Sequence, residues 1–320
     1  MPTGRETGTI VVALGGNAVA PANERPTIAN QFRHTRESLA PIVDLARDGW
    51  RIAVVHGNGP QVGDSLARNE LAAGEVEPLP LGVLVAETAG WIGYMIQQSL
   101  QNALERAGIG REVVTVITQT SVAPGDPMLT SPTKPIGHEL SPERRARLTD
   151  RGVAVGRDKA GRWRRLTASP IPIGIVEAPI VRRLVEAGTI VVAAGGGGPP
   201  VYRDPVLRLE GVDAVVDKDR TAAILARELD AALLLILTDI EAVYRDYGTE
   251  RAAPIRRMTV GEAEALLREG QLAEGSMRPK VEAAIGFVRG GGERAVIAEL
   301  GHGLAAIRGE TGTTIVAEGQ

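Results

Sequence analysis

Arg51 to Gly63, RIAVVHGNGPQVG, constrains the fold of this chain more than any other stretch. Ile52 to Val55 have the β-branched, turn-bounded character of a buried strand, and Pro60 suits the first position of a helix running through Gln61 towards Asn69. Strand, glycine turn, helix is the implied order. Gly57 and Gly59 lack a Cβ, so the backbone amides of the turn can approach a bound anion closely, and the helix presents its positive end to the same point. That is the physics of a phosphate or carboxylate site. Alone, such a turn is equally a tight connection with no ligand.

It is not alone. Thr9 to Leu14, TIVVAL, runs directly into Gly15, Gly16 and Asn17, and Thr189 to Ala194 runs into four glycines, Gly195 to Gly198. A helix is expected from Ile28 to Arg47 with Thr27 as its cap, another from Leu81 to Ala107, and a strand from Val113 to Gln119. Later periodicity gives helices at Ala178–Ala187, Arg220–Leu229, Thr259–Glu269 and Met277–Arg289, and strands at Ala232–Leu237, Arg294–Ala298 and Thr313–Val316. Strands alternating with helices predict an α/β chain, a three-layer αβα open sandwich on a mainly parallel sheet. Residues 1–320 read as one domain. Between Val122 and Pro172 prolines and charged clusters break the pattern over a span too long for a bare loop, which predicts an inserted, protruding subdomain or lid. Its KAGRWRR run, Lys159 to Arg165, could suggest a nucleic-acid patch but, its charge being local in a slightly acidic chain, reads as a solvated hairpin anchored by Trp163.

Composition excludes several classes. A net charge of −3, from 36 basic and 39 acidic residues, gives no electrostatic case for nucleic acid, so small molecules are the expected partners. The absence of cysteine removes disulfides and thiol nucleophiles, and the four scattered histidines lack ligand spacing, so no metal-ligating residues are assigned. The Leu81 helix carries Glu87, Gln97, Gln98, Gln101 and Glu105 and is expected to be a buried or interface helix, not a membrane span. The polar start, Met1 to Gly8, does not read as a signal peptide, and a cytoplasmic location is expected.

Lysine is the informative residue. Only Lys134, Lys159, Lys218 and Lys280 occur, and three of them sit in distinctive motifs: PTKPIG, VDKDR and GSMRPK. In a chain that otherwise uses arginine, a retained lysine suggests a compact point charge for a phosphoryl oxygen. No G-K-[ST] follows a glycine turn, and GGN at Gly15 lacks the three spaced glycines of a dinucleotide fingerprint. Asp217 and Asp219 bracket Lys218 where a helix begins, and they read either as caps or as groups that orient the lysine.

GGN at Gly15, HGNGPQVG at His56, PTKPIG at Pro132, GGGG at Gly195, DKD at Asp217, TD at Thr238 and GSMRPK at Gly275 resemble, in order and spacing, the motif set of the carbamate kinases, members of the amino acid kinase family. The resemblance runs from about Thr9 to Val316. It implies reversible phosphoryl transfer between ATP and carbamate, a homodimer, and Mg²⁺ held mainly by the nucleotide phosphates. Carried over by position, Gly15, Gly16, Asn17, Gly57, Asn58 and Gly59 would surround the carbamate. Lys134 would reach in from the inserted subdomain, Lys218 and Lys280 would neutralise the moving phosphate, and Asp219 would orient the lysines. Gly195, Gly196, Thr238, Asp239, Tyr244, Gly275, Ser276 and Met277 would lie around the nucleotide. Two stretches depart from the family pattern, His138–Glu139 and ETAGW at Glu87, both expected near the substrate. A relative phosphorylating another small acid and a non-catalytic ligand-binding member of the fold are the alternatives.

Overall fold

The computed structural model describes residues 8–21, 24–158, 160–272 and 277–319; of Asn17 only the backbone is described. Its centre is an eight-stranded sheet. Across it the strands run Arg257–Thr259, Thr313–Val316, Arg294–Glu299, Leu233–Thr238, Thr9–Leu14, Arg51–His56, Ile190–Val192 and Val113–Thr115. Neighbours pair in parallel, except that Arg294–Glu299 and Thr313–Val316 run antiparallel. The helices are α1 (Ile28–Ser38), α2 (Ala40–Arg47), α3 (Gly59–Ala72), α4 (Leu81–Arg106), α5 (Pro142–Asp150), α6 (Ala178–Glu186), α7 (Lys218–Glu228), α8 (Val260–Arg268), α9 (Met277–Arg289) and α10 (Gly303–Ile307).

The apolar runs are continuous because both faces of the sheet are covered. Ile10, Val12 and Leu14 join a core with Ile42 and Leu45 of α2, Ile92, Ile96 and Leu100 of α4, and Ala306 of α10. Val11 and Ala13 join the opposite core with Val181 of α6, Leu225 of α7, Leu266 of α8 and Phe287 of α9. Successive residues of one strand thus feed two cores, the period of two that a strand imposes. The result is the three-layer αβα sandwich expected from the sequence.

Two expected elements are divided. The single helix from Ile28 to Arg47 breaks at Leu39, because Pro41 in the first turn of α2 has no amide to continue the ladder and its ring obstructs the preceding turn. The strand from Val113 to Gln119 leaves the sheet after Thr115, and Thr120–Val122 enters a second sheet, ordered Arg208–Gly211, Pro200–Asp204, Thr120–Val122, Pro172–Ile175. Buried hydroxyls draw the chain away: Thr118 Oγ1 accepts the amide of Ala194 at 2.9 Å, and Thr120 Oγ1 donates to the Gly197 carbonyl at 2.6 Å. Between Val122 and Pro172 lie α5 and a small antiparallel sheet, Lys134–Ile136 and Val155–Arg157 on either side of Trp163–Thr167. Ile136 joins Val62, Leu66, Leu81, Leu84, Val85 and Val215 in a separate apolar cluster, which ties this sheet to α3 and α4.

Candidate active site

Parallel pairing brings the C-terminal ends of the Thr9, Arg51, Ile190 and Leu233 strands to one edge, where open α/β sheets bind ligands. The glycine turns there act differently from the sequence expectation in one respect. The amides of Gly15 and Gly57 do not face a ligand; they donate to Leu237 O at 3.0 Å and Leu14 O at 3.2 Å, extending the sheet by one residue. What glycine permits is proximity: a Cβ on Gly57 would sit 3.4 Å from Gly16 N and 3.5 Å from Lys218 Cδ. The amides left free for an anion are instead those of the first turn of α3, which begins at Gly59 with Pro60 next and has no intrahelical acceptors for its leading amides.

Asn58 precedes that helix and is buried, with Nδ2 donating to Thr88 Oγ1 at 2.8 Å; the Thr88 hydroxyl turns to the Leu84 and Val85 carbonyls at 2.8 and 2.9 Å. Gly196, at φ 66°, comes so close beneath Asn58 that a Cβ would lie 2.2 Å from Nδ2. His56 is buried below the turn, Nδ1 2.9 Å from the Gly57 carbonyl, and its Nε2 has no hydrogen-bond partner among the described residues. Burial pushes its imidazole down to about 4, and the Lys218 ammonium adds to the effect. His56 is therefore neutral at pH 7. Gly195 lies on its ring, where a Cβ would be 2.5 Å from Nε2.

The cations converge on the first turn of α7. Asp217 caps the helix, Oδ1 accepting the amides of Asp219 and Arg220 at 3.0 and 3.2 Å, while its Oδ2 lies 3.4 Å from Lys134 Nζ. Asp219 is only 4% exposed and holds two lysines, Lys218 Nζ at 2.5 Å on Oδ1 and Lys280 Nζ at 3.2 Å on Oδ2. Burial alone would raise its pKa; the Lys218 and Lys280 ammonium groups outweigh it and hold the carboxyl below its ordinary range. Lys280 arrives from the first turn of α9, 61 positions from Asp219.

A cavity of about 550 Å³ opens here, lined from the core by Gly16, Gly57, Asn58, Gly59, Gly196, Asp217, Lys218 and Asp219, and from the small sheet and its flanks by Lys134, His138, Glu139, Arg162 and Arg164. The Arg162–Arg165 run thus faces more than solvent. Trp163 does sit as an anchor, with the guanidinium carbons of Arg145 and Arg157 at 4.5 and 5.1 Å from its ring centre, but two of its neighbours border the cavity. His138 reaches back to α3, Nε2 2.5 Å from Asp64 Oδ1. Glu87 is exposed and accepts from Ser65 Oγ at 3.3 Å; it does not line the cavity, and its neighbour Thr88 is the residue that touches the site.

The residues expected around a nucleotide divide. Tyr244 and Met277 share a second cavity of about 250 Å³ with Ile240, Ala242, Tyr247 and Leu272. The Tyr244 and Tyr247 rings are 5.7 Å apart at 60°, and Tyr244 Oη donates to Glu241 Oε2 at 3.1 Å. Thr238 Oγ1 donates to Asp239 Oδ1 at 3.0 Å at the end of the Leu233 strand, where Thr238 also borders Gly15. Gly195 and Gly196 lie with His56 and Asn58 instead, and Gly275 and Ser276 lie outside the described residues. Residues not singled out from the sequence are Asp217 as the partner of Lys134, Thr88 behind Asn58, and Thr118 and Thr120 behind the glycine run. Long-range hydroxyl bonds of this kind leave no local signature.

The amino acid kinase family matches residues 8–299. A carbamate kinase of Pyrococcus horikoshii is 43% identical over 311 residues, covering 96% of this chain and 98% of that protein. The carbamate kinase-like protein YqeA of Escherichia coli is 41% identical over 310 residues, with coverage of 96% and 98%. The solved structure of carbamate kinase from Giardia lamblia bound to AMP-PNP superposes with a TM-score of 0.91 at 34% identity, over 98% of this chain and 99% of that one. The sheet order, the lysine clamp and matches running along nearly the whole chain agree on one assignment: this chain belongs to the amino acid kinase family.

Proposed function

We propose that this chain is a carbamate kinase, catalysing ATP + carbamate = ADP + carbamoyl phosphate in either direction. The observation that carries the reading is Asp219, a buried carboxylate holding Lys218 and Lys280 together beside the open N-terminus of α3. Phosphoryl transfer between an oxygen of ADP and an oxygen of carbamate needs no covalent protein intermediate; it needs in-line positioning and fixed positive charge where the phosphoryl oxygens pass. Lys218 and Lys280, fixed by one carboxylate, supply that charge without reorganising. Gly16, Asn58 and Gly59 border the carbamate, with Asn17 in the same motif. Gly15 and Gly57, whose amides are taken by the sheet, allow close approach instead of donating, and Gly196 beneath Asn58 keeps that side chain in place. Lys134 reaches the same phosphoryl group from a lid formed by residues 122–172.

Tyr244 and Met277 line the cavity suited to the base of ATP, with Thr238 and Asp239 on the way to its phosphates, and the family resemblance gives Gly275 and Ser276 to the same nucleotide. Asp217 and Asp219 already engage all four carboxylate oxygens with amides and lysines, which makes them poor cation ligands. Mg²⁺ accordingly comes with the nucleotide, where it would screen phosphate charge. The family resemblance also supports a cytoplasmic homodimer. Among the described residues no helix is long and apolar enough to cross a membrane.

A second reading, another small acid as acceptor, is favoured by His138 and Glu139 at the cavity wall. The test is direct: purified protein with ADP, Mg²⁺ and either carbamoyl phosphate or acetyl phosphate, with ATP measured. ATP from carbamoyl phosphate in preference is expected. Folded protein that forms none above the uncatalysed background overturns the proposal, and preference for acetyl phosphate transfers it to the second reading.

A further inference from the structure

The arginine hairpin is the part of the cavity wall to which neither the lysines nor the glycine turns give a role. Alternate residues of the strand Trp163–Thr167 face opposite sides. Trp163 is taken up by Arg145 and Arg157, and Arg165 lines a separate cavity with Leu66 and Asn69. Arg164, between them, borders the cavity shared by Lys134, Asn58 and Lys218, and Arg162 joins it from the start of the hairpin.

Arg164 is poorly satisfied where it stands. Its Nη1 lies 3.2 Å from Asp158 Oδ2, an oxygen that also accepts Arg162 Nε at 3.0 Å, while Asp158 Oδ1 accepts the amides of Ala160 and Arg162, each at 3.0 Å. Its Nε is buried and has no hydrogen-bond partner among the described residues. A charged donor left unanswered is unfavourable, and a planar guanidinium fork matches two oxygens of a phosphoryl group better than a share in a crowded carboxylate. The other charged groups bordering the cavity are Lys134, Lys218, Asp217, Asp219, His138 and Glu139. Both aspartates already have cationic partners, and Lys134, Lys218, Arg162 and Arg164 outnumber the remaining carboxylate, Glu139, so the balance of charge at the cavity favours an incoming anion.

We propose that Arg164 is a substrate-binding residue, which leaves the shared Asp158 oxygen to take phosphoryl oxygens of the acyl phosphate while Arg162 stays on Asp158. The inference rests on the phosphoryl-transfer reading above and adds a residue to it. Arg164→Gln is expected to raise KM for carbamoyl phosphate about tenfold or more, with KM for ADP changed less than about twofold. Arg164→Lys restores only part of the loss, because the fork is gone. Arg157→Gln, on the Trp163 face, leaves both constants unchanged. An unchanged KM for carbamoyl phosphate in Arg164→Gln and Arg164→Lys overturns the assignment, as does an equal rise in both KM values.

Calorimetry with inorganic phosphate provides a readout independent of turnover. Wild-type protein that binds phosphate more tightly than Arg164→Gln, yet forms no ATP, keeps Arg164 as an anion-binding residue and overturns the carbamate reading alone. Equal phosphate affinity in the two proteins overturns the Arg164 assignment whatever the turnover.

Discussion

Lys134 Nζ lies 3.4 Å from Asp217 Oδ2, an ion pair that joins the small sheet to the start of α7 across 83 positions of sequence. The Lys134 side chain is 34% exposed and that of Asp217 23%, so solvent screens the pair and it contributes at most about 1 kcal/mol to stability. Lys134→Ala is therefore expected to lower turnover by roughly 10²-fold or more, as for one lost transition-state donor, with little change in melting temperature. A variant with normal turnover, or one that melts clearly lower, would show that the pair is structural.

Asp219→Asn tests the clamp. Lys218 and Lys280 have side chains 13% and 14% exposed, and removing their common counter-ion leaves two nearly buried charges uncompensated. A loss of roughly 10²-fold or more in turnover is expected, together with a lower melting temperature. The pH dependence has a definite sign. The folded pKa of Asp219 lies below its ordinary 3.8, so its stabilising contribution is fully present above that value and is lost as pH falls through the lowered one. The gap in stability between wild type and Asp219→Asn should close only in strong acid; a gap already closed at pH 5 would contradict the clamp. Near-normal turnover in both Asp219→Asn and Lys218→Ala would leave the two aspartates as helix-start residues only.

His56 titrates in the opposite chemical sense. Folding lowers its pKa from 6.5 to about 4, so the folded state holds it neutral while the unfolded chain protonates first. Its contribution is full above pH 6.5 and is lost as the pH falls towards 4, amounting to about 2 kcal/mol between pH 7 and pH 5. Denaturant titrations of wild type and His56→Gln at the two pH values should differ in pH sensitivity by that amount. Identical slopes against pH would show that His56 is not held neutral by the fold.

Two glycines should separate space for packing from space for ligand. A Cβ on Gly195 would press on His56 Nε2 and lie 2.9 Å from Ala89 Cβ, so Gly195→Ala is expected to destabilise by about 1–3 kcal/mol. A Cβ on Gly59 meets nothing within 4 Å and would project from an exposed position bordering the cavity. Gly59→Ala should hold its melting temperature and raise KM for carbamoyl phosphate. The reverse pattern would place the ligand elsewhere.

What the sequence revealed follows from what each residue does locally. Thr9–Leu14 and Leu233–Thr238 are legible because strands covered on both faces are buried at every position, carry unbroken apolar runs and end sharply at glycine or Thr-Asp. Short edge elements such as Arg208–Gly211 and Ala253–Ile255, largely exposed, carry no such run and were missed. Rarity made Lys134, Lys218 and Lys280 conspicuous in a chain that prefers arginine. The same preference hid Arg164, whose side of the hairpin depends on alternation over only a few residues. The helix break at Leu39 is written in Pro41, which the single helix expected from Ile28 to Arg47 passes over.

The place of Thr9–Leu14 in the sheet bears on how the chain is made. Its partner on one side, Arg51–His56, leaves the ribosome soon after it, whereas its partner on the other, Leu233–Thr238, follows on the order of tens of seconds later at ordinary elongation rates. Until then the strand at the middle of the finished sheet is an exposed edge, apolar from Ile10 to Leu14 and open to other chains. Aggregation during synthesis should therefore be governed by how fast the second half arrives, and slow translation between the two halves would expose the nascent protein before its stability is in question.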